Sequence, residues 1–261
     1  MLQLSFSSTE IELFLLVLVR ISMFFVVAPF FSMTNTPNRV KIGLSVLVSV
    51  LVYSTLPDRT TPLEYNSILG YTIIVLKEVL TGLLLGFAAS LVTSVVSLAG
   101  SIVDMESGLS MMQMMDPMTK QEISITGGFY QYTIMLMLLL SGMHRYLLQA
   151  IADSFTLIPL NATVFHTDSL LNAITTFMAQ YISIGFRICL PVFAAMVLLN
   201  AILGILAKIA PQMNMFAVGM QLKILVALAI LFLTIWMLPD AAQFIYGEMK
   251  HMVITVAEAL V

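Results

Sequence analysis

Apolar residues along this chain run in long blocks rather than short alternations. A helix that crosses a bilayer needs about 20 mostly apolar residues. Six stretches approach that length: about Leu13 to Met33, Ile42 to Leu56, Ile68 to Val103, Ile123 to Met143, Leu170 to Leu206 and Phe216 to Leu238. The second is short, and the fifth is too long for one straight span. From Asp240 onward, charged and apolar positions alternate, which predicts an amphipathic helix. Barrel strands alternate in short runs. The pattern therefore predicts an all-α, polytopic membrane protein.

The interruptions shape that picture. Pro29, Pro37, Pro57, Pro62, Pro117, Pro159, Pro211 and Pro239 fall at or near segment ends, where proline stops helices. Pro191 lies inside the fifth stretch and predicts a kink or a helix–break–helix, hence long, kinked helical hairpins. Gly82 and Gly86, four apart in the third stretch, form a face that a second helix can approach closely. Thr9-Glu10-Ile11-Glu12 reads as a capping box that opens the first helix. No basic residue precedes Arg20 and no A-x-A-like site follows, so the first segment is expected to stay in the mature protein.

Composition sharpens the class. Hydrophobic residues make up 60% of the chain and charged residues 10%, against about 45–50% and about 25% in a soluble domain. Mean hydropathy is +1.02. A net charge of −3 without a basic patch argues against a nucleic-acid partner. The single Cys189 excludes an intramolecular disulfide and a Cys-rich metal site, and His144, His166 and His251 form no ligand cluster. No spacing of nucleophile, base or phosphate loop suggests catalysis, so neither enzyme chemistry nor a cofactor is expected.

Charge placement is unusual. With six spans and the N-terminus outside, inner loops carry Arg39, Lys41, Lys120 and Lys208, and outer loops carry Arg59, Arg145 and Lys250. That is no positive-inside bias. Arg20, Lys77, Arg187 and Lys223 lie within or at the edges of apolar segments, where a central charge costs about 2.5–3.5 kcal/mol. Glu78 is the one acid inside a segment and cannot pair with all of them. Either these helices do not face lipid, or partners supply the missing carboxylates; snorkelling serves Lys223 and Lys77 better than Arg20 and Arg187.

The stretch Met105 to Met118 reads MESGLSMMQMMDPM, with six methionines in fourteen residues. Asp104, Glu106, Asp116, Lys120 and Glu122 make it too polar for a lipid-facing span, and Gly108 and Asp116-Pro117 permit turns. Methionine side chains re-pack around irregular shapes. Met111, Met112, Met114 and Met115 suit a soft apolar seal, because apolar constrictions gate by dewetting. A copper(I) site of thioethers and plain core packing are the alternatives.

Several stretches then align with a known family. Arg20, Ala28-Pro29-Phe30-Phe31, Pro37 and Arg39-Val40-Lys41 open the likeness. Glu78-x3-Gly82-x3-Gly86-Phe87, Ala99-Gly100-x3-Asp104-x3-Gly108, Asp116-Pro117, Gly142-Met143-His144 and Ser154-Phe155-x3-Pro159 continue it. The most specific stretch is Gly204 to Gly219, whose Pro211-Gln212-x-Asn214-x-Phe216-x-x-Gly219 is followed by Lys223. Together they resemble the FliR/SctT family of type III secretion export-gate proteins over nearly the whole chain. Gln221 stands where that family commonly has proline, and Met143 where it commonly has a second glycine.

The resemblance implies a non-enzymatic structural and gating subunit of the flagellar protein-export channel. It would be a single copy assembled with FliP-like and FliQ-like subunits and associated with FlhB-like and FlhA-like export proteins. The site would be the bacterial inner membrane, in the flagellar basal body, and unfolded secreted polypeptides the cargo. It further implies a FliP-like part, about residues 1–180, fused to a FliQ-like helical hairpin, about 181–261. The Met-rich stretch would be the pore plug, with Met105, Gly108, Met111, Met112, Met114, Met115, Asp116 and Pro117 in it. Arg20, Lys77, Glu78, Arg187 and Lys223 would serve assembly as buried charges. A virulence-type secretion homologue, a small secondary transporter with broken helices at Pro191 and Pro211–Gly219, and a membrane-embedded enzyme are the rival readings.

Overall fold

The computed structural model describes residues 8–32, 36–56, 65, 67–110, 124–212 and 214–261. Among these residues the secondary structure is helical, without strands. In chain order the helices are α1 (Ser8–Val27), α2 (Asn38–Thr55), α3 (Ile68–Ser107), α4 (Ile125–Leu140), α5 (Met143–Leu157), α6 (Thr167–Ile209), α7 (Met215–Thr234) and α8 (Leu238–Glu258), with a 3-10 turn at Ile235–Met237. The all-α expectation stands.

The chain divides into two compact units. The first comprises Met1–Val92, Gly142–Phe177 and Gly247–Val261, and the second Thr93–Ser141 and Met178–Tyr246. In the first, Leu13, Leu16, Val17, Ile21, Phe24, Phe25 and Ala28 of α1 and the residue after it are buried at helical spacing. Phe14 meets Tyr53 of α2 edge to face, with centroids 5.8 Å apart. In α8, Met249, Met252, Val253 and Val256 are buried while His251 and Glu258 are exposed, as the amphipathic reading expects. The backbone amides of Val164 and His166 donate to the carbonyls of Leu260 and Ala259, which ties the end of the chain to the segment after α5.

Four expectations change. Among the described residues, six expected spans become three elements long and apolar enough to cross a membrane alone: Ile68–Ser107, Thr167–Ile209 and Ala217–Glu258; α4 and α5 qualify only as a pair. Glu10, Glu12 and Arg20 make α1 too charged, and Asn38, Arg39 and Lys41 make α2 too polar. Second, α6 is one helix of 43 residues through Pro191, not a helix–break–helix. Proline removes only the hydrogen bond to the carbonyl four residues back, that of Arg187. The turns on either side carry the helix past it. Third, α1 is already helical at Ser8, ahead of the cap expected at Thr9, within the usual spread of helix boundaries. Fourth, α5 was not foreseen as a helix. Its signal is the four-residue repeat of Met143, Leu147, Ile151 and Phe155, all buried.

Candidate functional site

In the first unit, two widely separated segments bring a charge pair into the core. Arg20 on α1 and Glu78 on α3 are both fully buried, with Nε donating to Glu78 Oε2 at 2.6 Å. Arg20 Nη1 donates to the carbonyls of Ile158 at 2.9 Å and Ser154 at 3.2 Å, and lies 3.5 Å from Ser154 Oγ. The guanidinium lies over the Phe155 ring, 4.3 Å from its centroid. Glu78 Oε1 accepts the amide of Asn161 at 3.2 Å. Asn161 holds φ at +67°, a left-handed turn that asparagine tolerates and that aims this amide.

Glycine permits the approach. A Cβ on Gly82 would run into the Arg20 carbonyl, and one on Gly86 would lie 2.9 Å from the Phe24 carbonyl. The small face of α3 thus fits α1 at Arg20 and Phe24, one turn apart on each helix. Thr81 and Thr163, both buried, exchange a hydroxyl hydrogen bond of 3.2 Å beside the pair. At the entrance of α3, the Tyr65 hydroxyl donates to Glu12 at 3.0 Å, and that bond to a carboxylate raises the phenol above its ordinary range.

The second unit carries a different contact. Asp104, near the end of α3, is buried and accepts the Ser124 hydroxyl at 2.6 Å and the Thr126 amide at 3.2 Å. Ser124 caps α4 by accepting the Gly127 amide at 2.9 Å. Asp104 thus forms a buried clasp on the start of α4.

The remaining expected residues fall as follows. Met105 is exposed on the last turn of α3, and Gly108 ends that helix with φ at +80°. Met111, Met112, Met114, Met115, Asp116 and Pro117 lie outside the described residues. Lys77 and Lys223 are half-buried and Arg187 is exposed, and the described residues give none of them an ion pair. Arg187 lines an open cavity of about 200 Å³ with Tyr130, Pro191, Thr234 and Asp240. Pro211 and Gln212 form the turn after α6, and the Asn214 side chain caps α7 by accepting the Ala217 amide at 3.4 Å. Phe216 stands in the first turn of α7, Gly219 is buried beside Leu203 of α6, and α7 continues through Gln221. Among the described residues no group of three metal-ligating side chains occurs. The sequence reading gave no role to Ser154, Phe155, Asn161 or Ser124; their pairing needed the fold.

Helices long and apolar enough to cross a membrane, together with a fully buried charge pair in the first unit, define a polytopic helical membrane protein. The sequence also matches "Bacterial export proteins, family 1" over residues 11–249. It is 36% identical over 222 residues to the flagellar biosynthetic protein FliR of Bacillus subtilis (strain 168), covering 84% of each chain. It is 29% identical over 230 residues to the FliR of Pectobacterium carotovorum subsp. carotovorum, covering 88% of this chain and 87% of that one. It is 31% identical over 178 residues to the surface presentation of antigens protein SpaR of Shigella sonnei, covering 67% of each. The chain belongs to this bacterial export family, that of FliR and SctT.

Proposed function

We propose that the chain is a structural and gating subunit of the flagellar type III protein-export channel in the bacterial inner membrane, at the flagellar basal body. The observation that carries the reading is the family match over residues 11–249, almost the whole chain. The apolar exterior supports it: only 11% of the most apolar window of Ala217–Glu258 and 28% of that of Thr167–Ile209 are buried within the chain. FliP-like and FliQ-like subunits would cover those faces, with FlhB-like and FlhA-like proteins alongside. On this reading residues 1–180 are the FliP-like part and 181–261 the FliQ-like hairpin. The Met-rich segment is the plug of the resting pore, where Met111, Met112, Met114 and Met115 exclude water. Unfolded polypeptide is the cargo.

The test is the native mass of the detergent-solubilised complex, with this chain tagged and its genomic neighbours co-produced. A large hetero-oligomer holding one copy of the chain is expected. A monomer or homodimer, with the neighbours present in the cell but absent from the complex, overturns the reading. Solute uptake by the lone chain in liposomes would then favour a transporter.

A further inference from the structure

The chain on either side of the Met-rich segment is fastened at three levels. Ser97 on α3 donates its hydroxyl to Gln131 Oε1 on α4 at 3.0 Å. One turn on, Gly100 stands against Gly127 so closely that a Cβ would strike the Gly127 backbone. One turn further, the Asp104 carboxylate, 1% exposed, holds the Ser124 hydroxyl at 2.6 Å and the Thr126 amide at 3.2 Å. The three levels advance along α3 as they retreat along α4, which is the register of an antiparallel pair. A buried carboxylate is costly unless its lone pairs are met. Here the Ser124 hydroxyl, the Thr126 amide and the positive end of α4 meet them, so Asp104 ties the end of α3 to the start of α4.

We propose that Asp104 is a positioning residue of the export gate: with Gly100 it joins α3 and α4 into one fixed base, and the two helices remain joined while polypeptide passes. The proposal rests on the export-gate reading and specifies which part of this chain does not move. Asp104 touches no cargo. It acts through Ser124 and Thr126, by holding the two chain ends that bracket the Met-rich segment.

Two experiments in the native complex test it. Asp104→Ala leaves the buried Thr126 amide and the half-buried Ser124 hydroxyl without this acceptor and is expected to raise the small-ion permeability of resting membrane vesicles on the order of tenfold, the factor for one lost buried hydrogen bond. Native mass should stay unchanged, and Asp104→Asn, which keeps an acceptor, should restore part of the tightness. Resting permeability equal to wild type, or a complex that no longer assembles in both variants, overturns the positioning role. In a Cys189→Ala background, Ser97→Cys and Gln131→Cys are joined by a short bifunctional thiol-reactive reagent, a bis-methanethiosulfonate. Export at the rate of the reagent-treated single-cysteine controls is expected. Export lost only in the joined pair means that the helices must part, and failure of the reagent to join them denies the fixed base. A wild-type chain absent from any export complex would instead sink the export-gate reading, and cross-linking would still report whether α3 and α4 stay joined.

Discussion

Arg20 is fully buried among the apolar side chains of α1, and its neighbours answer nearly every demand it makes. Glu78 neutralises it, two carbonyls accept from it and Phe155 covers its face. Removing one member of such a pair strands a buried charge at a cost of about 3–5 kcal/mol, whereas replacing both by apolar groups is often near neutral. Arg20→Leu and Glu78→Leu alone are therefore each expected to lower the thermal stability of the solubilised protein strongly. The double variant should recover most of the loss. Additive losses in the three melting curves would refute the internal pair. Glycine gives a second prediction: Gly82→Ala drives a Cβ into the Arg20 carbonyl, whereas Gly43 has nothing within 4 Å of a new Cβ. Gly43→Ala should be neutral or stabilise by about 0.5–1 kcal/mol, and Gly82→Ala should lower the melting temperature. The sequence marked Arg20 and Glu78 as charges in apolar surroundings but left four cations competing for one acid. The partners are 58 residues apart, and no local pattern spans that distance.

Elements were legible in proportion to their apolarity. The stretches for α3, α6 and α7 agree with the helices to within a few residues, because an unbroken apolar run leaves the backbone no polar partner except itself. Helix α5 escaped notice because it is short, mixed in polarity and opened by Gly142 at φ +81°, a feature that reads as a loop. Yet α5 and the residue after it supply Ser154, Phe155 and the Ile158 carbonyl to Arg20. At Pro191, where a kink or a helix–break–helix was expected, the helix runs on unbroken. The Arg187 carbonyl loses its helical donor there, so Pro191→Ala should restore that bond and stabilise the helix. An interior proline costs about 3 kcal/mol, so a clear rise in melting temperature is expected. An unchanged or lower value would mean that packing around the ring outweighs the missing bond.

At the scale of the whole molecule, the charges divide into those answered inside the chain and those facing outward. Arg187 is exposed on a long apolar helix and has no ion pair among the described residues. Its replacement by leucine should leave the fold of the chain intact and weaken its association with partner subunits, read as dissociation of the native complex at lower detergent or salt stress. Unchanged assembly and export in Arg187→Leu would remove the partner carboxylate from the account. The missing positive-inside bias has a related cause, because that rule describes independent spans in lipid and three elements qualify alone among the described residues.

The sequence by itself determined the class: a helical chain with runs long and apolar enough to cross a membrane, and with family motifs along nearly its whole length. Those properties follow from apolar runs and short-range spacing, which are local. It also fixed which residues are unusual, but not their roles. Tertiary structure alone decided that Glu78 pairs with Arg20 and not with Lys77 beside it, that Asp104 clasps α4, and that Gly82 and Gly100 are sites of close approach. Each of these depends on which helix faces lie together, and burial makes them decisive: a polar group removed from water needs its partner within hydrogen-bond reach, wherever along the chain that partner lies.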